Sequence, residues 1–222
     1  MKSHKGKFVL SLFALAVFSL GSAMTARAAI VFIEGPTSAA EENIQFNDGA
    51  TRTGNPIFGT TNNTTTLFRF SNSTPGEILN APSSGQATIN AMDGLFNNLT
   101  IRPELAGITF NELDLRLSVA GQGGGTNGFV TFTVTEDNGQ VSTSNPFAIS
   151  SAGQNIFSVI SINGQRIRTV TLNTTVQLTD VQQVRVGGIG GTTPPTAVPE
   201  PATMLLLGTG LAGIAAKMRR RK

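Results

Sequence analysis

Acid–base, nucleophilic and metal chemistry depends mainly on His, Cys, Lys and carboxylates. In this 222-residue chain the first three are missing from the whole stretch between Ala29 and Ala216, and the one histidine is His4. Ser-His-Asp and Cys-His nucleophile activation, Schiff-base chemistry and a His- or Cys-ligated zinc or iron site are therefore excluded there. Cys, Trp and Tyr are absent altogether, so there is no disulfide framework. Carboxylates remain, which makes a glycosidase-type pair the one common enzyme class to weigh. Glu112 and Asp114 stand two apart, Glu136 and Asp137 flank Asn138-Gly139, and Asp48-Gly49 and Asp93-Gly94 read as turns. As the polar face of a strand and as turn formers, these residues are expected in water, where their proton affinity stays low. None has the Asp-x-Asp-x-Asp-Gly spacing of a calcium loop. The expectation is a protein with no catalytic residue, no metal site and no cofactor.

Other runs invite a chemical reading and yield a plainer one. Gly121-Gln-Gly-Gly-Gly-Thr-Asn-Gly128 resembles a phosphate loop in composition, but Phe129-Val-Thr-Phe-Thr-Val-Thr135 behind it reads as a strand. No helix N-terminus and no loop lysine is supplied, so a flexible hairpin loop is expected. Phe68, Phe70, Phe110, Phe129 and Phe132 lie in strand-like runs and are expected in the core rather than on a sugar platform, for which Trp and Tyr are lacking. Thr131, Thr133 and Thr135 form one rung of the kind that flat threonine arrays display, and threonine is also simply a good strand residue. Arg166 and Arg168 are expected as solvated charges on one strand face.

The elements that hold these residues read as strands. Leu113, Leu115, Leu117 and Val119 alternate with polar neighbours, as do Val130, Phe132 and Val134. Asn138-Gly139 and Asn163-Gly164 suit two-residue type I′ turns, so a hairpin is expected between 156–162 and 165–172. Further strands are expected over 30–33, 43–47, 66–71, 86–90, 99–101, 108–111, 145–149, 176–179 and 183–187. No interior window shows helical periodicity. The fold class is all-β, an antiparallel β-sandwich of jelly-roll-like form over 29–186, followed by a Gly/Thr/Pro linker over 187–197.

The charges divide by position. The whole chain carries a formal +3, yet nine of its sixteen basic residues lie in the first 28 residues and the last six. Between Ala29 and Ala216 seven arginines face thirteen acidic residues, which leaves that body at −6. An acidic body offers no footprint for nucleic acid. Residues 1–28 read as a signal peptide: Lys2, Lys5 and Lys7 precede an apolar run from Phe8 to Leu20, and Ala26 and Ala28 supply the small-x-small cleavage site for signal peptidase. At 198–222, Val198-Pro199-Glu200-Pro201 is held extended by its prolines, ahead of an apolar stretch 202–216. As a helix that stretch spans about 22 Å, short of a hydrocarbon core of about 30 Å. Lys217, Arg219, Arg220, Arg221 and Lys222 then fix a cytoplasmic end, so the body is expected outside the inner membrane, tethered by a transient insertion.

Pro199-Glu200-Pro201, the short apolar helix and the terminal basic cluster together resemble the PEP-CTERM sorting signal in order and spacing. Asp180-Val-Gln-Gln-Val-Arg-Val-Gly-Gly188 is similar to the closing strand of other PEP-CTERM passenger domains. The resemblance implies processing by an exosortase at or near the motif, delivery to the cell envelope, surface or extracellular matrix, and exopolysaccharide as a candidate partner. Together with the missing His, Cys, Lys, Trp and Tyr, this leads to the expectation of a structural, adhesive or polysaccharide-associated protein without catalysis. The alternatives are a carboxylate-dependent glycan hydrolase and a calcium- or ice-binding display domain.

Overall fold

The computed structural model of the protein describes residues 29–37, 40–47, 49–121 and 125–191. The leader over 1–28 with Ala26 and Ala28, the part of the linker beyond Gly191, and the tail 198–222 with its motif, helix and basic end lie outside the described residues.

Strands account for the regular structure of the described residues. In chain order they are β1 (Ala29–Glu34), β2 (Glu42–Gln45), β3 (Thr53–Gly54), β4 (Ile57–Thr61), β5 (Leu67–Ser71), β6 (Leu79–Asn80), β7 (Thr88–Ala91) and β8 (Phe96–Pro103). They continue as β9 (Ile108–Thr109), β10 (Glu112–Val119), β11 (Asn127–Glu136), β12 (Val141–Thr143), β13 (Phe147–Ser150), β14 (Asn155–Ile162), β15 (Ile167–Gly187) and β16 (Gly190–Gly191). All their pairings are antiparallel, so the expected all-β antiparallel class holds.

The organising element is β15, a single strand of 21 residues where separate strands were expected over 165–172, 176–179 and 183–187. One of its edges carries β11 and then β10; the other carries β8, then β7, then β2. Its register against β10 is broken twice. Between the Ser118–Asp180 and Val119–Leu178 pairs, and again between Asp114–Arg185 and Arg116–Gln182, the register slips. Gln183 there has φ 53°, in the left-handed region. Each slip inserts an unpaired residue and resets which side chains face inward. Leu178, Val181, Val184 and Val186 are consequently all buried although they do not alternate. A periodicity reading stops at each slip; the strand does not.

From β15, the strands β2, β4, β5 and β8 run side by side and return to β15, closing a small barrel. Beyond the other edge, β10–β14–β1 and β11 with β12 and β13 form two layers. Phe132, Phe147 and Phe157 join them, with ring centroids 5.4 to 6.3 Å apart. In the barrel Phe46 meets Phe70 at 5.5 Å, and Phe68 meets Phe110 at 5.7 Å. One apolar cluster runs through both parts. Gly59 of β4 sits where a Cβ would lie 2.7 Å from Ile44 Cγ2 and 3.2 Å from the Gln45 carbonyl, so β2 and β4 approach closely only because it is glycine.

The turns hold part of what their sequences predict. Asn163 and Gly164 have φ 58° and 82°, and Gln165 N donates to Ile162 O at 3.3 Å, as a type I′ turn requires. The expected hairpin does not follow. Both edges of β14 are taken by β1 and β10, while Ile167 pairs at once with Phe110 and Glu136. Asn138-Gly139 does connect a hairpin, β11–β12, but through three residues: Glu136 N donates to Gln140 O, and only Gly139 of this loop has positive φ. The glycine-rich loop after Gly121 joins β10 to β11, which do not pair with each other, so it is not a hairpin loop. At the other end, β16 pairs with β9, which ties Gly190 and Gly191 of the expected linker onto the body.

Candidate functional site

Strand β10 was expected to turn Glu112 and Asp114 to water. Its apolar face behaves as anticipated, with Leu113, Leu115 and Leu117 at most 2 % exposed. Glu112 and Asp114 are nevertheless 3 % and 4 % exposed. The chain between β1 and β2 crosses their face of the sheet: Gly35 N donates to Ile156 O, Ser158 Oγ donates to Gly35 O at 2.7 Å, and Thr37 Oγ1 reaches Asp114 Oδ1 at 3.4 Å. Arg185 lies opposite Asp114 on β15, and Ser158 opposite it on β14. Burial pushes the Glu112 carboxyl above its usual range; Asp114 and Glu41 add to this and Arg185 opposes it. Glu112 Oε1, Asp114 Oδ2 and Arg185 Nε have no hydrogen-bond partner among the described residues.

The other expected site residues fall as follows. Glu136 is buried at 3 % exposure and accepts from Ser142 Oγ at 2.6 Å, so it is not a solvated turn flank. Asp93 caps its turn, accepting from Leu95 N. Phe68, Phe70, Phe110 and Phe132 are core residues, but Phe129 is 51 % exposed on the outer face of β11. Arg166 is not a solvated charge: it donates to Thr109 Oγ1, Thr109 O, Asn111 Oδ1 and Gly188 O at 2.7 to 3.0 Å, clamping β9 to the end of β15. Burial lowers its proton affinity, with Asp137 opposing. Arg168 stays exposed and donates to Asp137 O. Among the described residues no group of three or more His, Cys, Asp or Glu could hold a metal ion, and no helix is long and apolar enough to cross a membrane.

Sequence reasoning missed the outer face of the barrel and the adjoining sheet. The rung of Thr131, Thr133 and Thr135 is not alone. Thr133 lies opposite Thr143 of β12 and Thr171 of β15; Thr171 lies opposite Thr100 of β8, and Thr100 opposite Ser71 of β5. Five hydroxyl side chains thus stand abreast on five adjacent strands, across about 19 Å at the usual strand spacing. The Thr100 and Thr171 hydroxyls are 3.0 Å apart, and those of Thr133 and Thr143 are 3.5 Å apart. Thr135, one step along, lies opposite Thr169 and Val141. At the Leu67 end of β5, the opposite end from Ser71, a groove of about 480 Å³ opens, lined by Asn47, Thr51, Phe58, Thr60, Leu67 and Glu104 among others. The Arg69 guanidinium lies 5.9 Å from the centre of the Phe58 ring. Arg69 and Arg102 flank Glu104 at 3.7 and 3.3 Å. Strands distant in the sequence, β5, β8, β11 and β15, meet in this surface, and the one local signal was the alternating threonines of β11.

Fold and charge pattern define an all-β body with a C-terminal sorting tail. Residues 197–221 match the PEP-CTERM protein-sorting motif, and the chain carries that signal. It is thereby marked as an exported, exosortase-targeted protein, directed to the cell envelope or surface, with exosortase as its processing partner. No curated protein and no solved structure matches the chain.

Proposed function

We propose that the processed protein works without catalysis as an extracellular or cell-surface β-domain, structural or adhesive and associated with exopolysaccharide. The observation that carries this reading is the sorting motif at 197–221, which assigns the body to the outside of the cell. The supply of chemical groups agrees with it. The body has no His, Cys or Lys; Glu112 and Asp114 are covered, and Glu42 and Glu136 are engaged in internal hydrogen bonds. What the domain offers its surroundings is a broad surface of hydroxyl, amide and apolar groups. After signal peptidase and the secretion machinery have moved the chain across the inner membrane, exosortase removes the apolar tail.

Intact-mass measurement of protein from cells with and without exosortase tests this reading, together with the Glu200→Ala variant. The expected result is loss of the tail only in exosortase-positive cells carrying the natural motif, and recovery of that processed form in the matrix fraction. A tail still attached in exosortase-positive cells overturns it. A glycan-hydrolase reading draws on one observation, the raised proton affinity of Glu112 beside Asp114. Sugar release from the cells' exopolysaccharide that Glu112→Gln abolishes would favour it.

A further inference from the structure

We propose that the free edge of β1 is an interface between two copies of this chain, which pair β1 with β1 antiparallel about a two-fold axis. This goes beyond the reading of an exopolysaccharide-associated body and does not depend on it.

Among the described residues β1 pairs only with β14, so it ends its sheet. An edge strand is a template for further pairing, and proteins commonly blunt it with lysine, proline, a bulge or shortness. Other edges of this fold follow that habit: β12 has three residues, and β13 has four and follows Pro146. β1 does not. It reads Ala-Ile-Val-Phe-Ile-Glu, and its six residues pair with β14 without a shift of register. Both of its faces are apolar. Ile30 and Phe32 pack against the core. Ala29, Val31 and Ile33 lie on the other face, where Ile162 and Ile160 of β14 stand opposite Ala29 and Val31. Ile33 and Ile162 are exposed there, and Val31 and Ile160 are half-buried. A second strand laid along β1 covers this stripe.

The ladder fixes how a second copy fits. Along an antiparallel strand, residues alternate between those whose N–H and C=O face one neighbour and those whose groups face away. Gly35 N donates to Ile156 O, and Ser161 N, opposite Ile30, donates away from β1 to Asn111 O. Ala29, Val31 and Ile33 therefore bond towards β14, and Ile30, Phe32 and Glu34 turn their N–H and C=O groups outward. A two-fold axis must pass through the centre of a residue pair, because bonded and non-bonded pairs alternate along the ladder. Centred on Phe32, it sets Ile30 opposite Glu34 of the second copy, and every outward group of the strand finds a partner. Val31 then faces Ile33 of the second copy on the apolar stripe.

Charge selects the same occupant. Cleavage after Ala28 leaves an α-ammonium group on Ala29, and Glu34 is the one charged side chain of β1. Antiparallel pairing brings that ammonium beside Glu34 of the second copy at both ends of the interface. Parallel pairing would bring like charges together. A neutral strand with one opposite charge at each end is complementary to itself.

The test is sedimentation equilibrium of the processed protein from exporting cells, up to its highest soluble concentration. The expected result is a monomer–dimer equilibrium, weak because one strand pair buries little area. Ile33→Lys puts a charge into the apolar stripe and is expected to weaken dimerisation about tenfold or more, and Glu34→Lys, which reverses the end charge, to weaken it several-fold. Both positions are exposed, so the melting temperature at low concentration is expected to stay unchanged. Met92→Ser, exposed beyond β7, is expected to leave dimerisation as it is. The chain holds no cysteine, so an equimolar mixture of Val31→Cys and Ile33→Cys proteins reports the register. Under oxidising conditions it is expected to give a disulfide dimer of the two variants, whereas Met92→Cys mixed with Ile33→Cys gives none. A processed protein that stays monomeric overturns the proposal, whether the edge then meets water or a strand of another protein. A dimer that both lysine variants leave intact, or whose cysteine mixture does not cross-link, has its interface elsewhere and overturns it as well.

Discussion

Asp114 and Arg185 lie directly opposite each other across the β10–β15 ladder, yet Asp114 Oδ2 and Arg185 Nε have no hydrogen-bond partner among the described residues. Their neighbour Glu112 is buried, as Asp114 is, and holds its proton more tightly than a free glutamate, chiefly through loss of solvation and then through the Asp114 charge. A group whose folded pKa is raised contributes its full stability below the unfolded value, near 4.5, and loses it as pH rises through the folded value. Glu112→Gln imitates the protonated state at every pH. Urea unfolding from acid to neutral pH is expected to show this variant matching the unaltered protein in acid and exceeding its stability at neutral pH. A loss of stability that grows with pH would contradict this account of the cluster.

Glu42 behaves in the opposite sense. Burial alone would raise its pKa, but its carboxylate accepts from Thr64 N at 2.8 Å, Thr64 Oγ1 at 2.9 Å and Asn63 N at 3.3 Å, and the net effect is a lowered value. Its contribution is present above about 4.5 and is lost as pH falls through the folded value. Glu42→Gln should therefore cost about 1–3 kcal/mol near neutral pH, with the difference shrinking on acidification. Paired denaturant melts at the two ends of that range check it.

Gly59→Ala should destabilise the barrel by about 1–3 kcal/mol, because the added methyl meets Ile44 Cγ2 and the Gln45 carbonyl where β2 pairs with β4. The denaturant midpoint reports the effect; an unchanged midpoint would mean that the two strands can move apart freely.

Phe157→Ala removes the ring that contacts both Phe132 and Phe147 at 5.4 Å and joins the two layers. The expected loss is about 3–5 kcal/mol, read by chemical unfolding. A loss below about 1 kcal/mol would show that the layers are held together elsewhere.

Period-two alternation by itself determined that the body is β, since side chains on a strand must face opposite sides in turn. The inward set of β10, the phenylalanines of β5 and β8's neighbours, and the left-handed pair Asn163-Gly164 all follow from local stereochemistry. The tail was legible for the same reason, because its motif, apolar run and basic end are contiguous. Tertiary structure alone decided which strands pair. The turn at Asn163-Gly164 forms, but its two strands enter different layers because β14 already has a partner on each edge. Slips near Thr179 and Gln183 hide one continuous strand, since alternation cannot be read through an inserted residue. The burial of Glu112 and Asp114 depends on a chain segment more than 70 residues away crossing their face, as Thr37 does above Asp114. The hydroxyl row draws on five strands from Ser71 to Thr171. Spacing along a chain sets which way a side chain points; only packing sets what lies beside it.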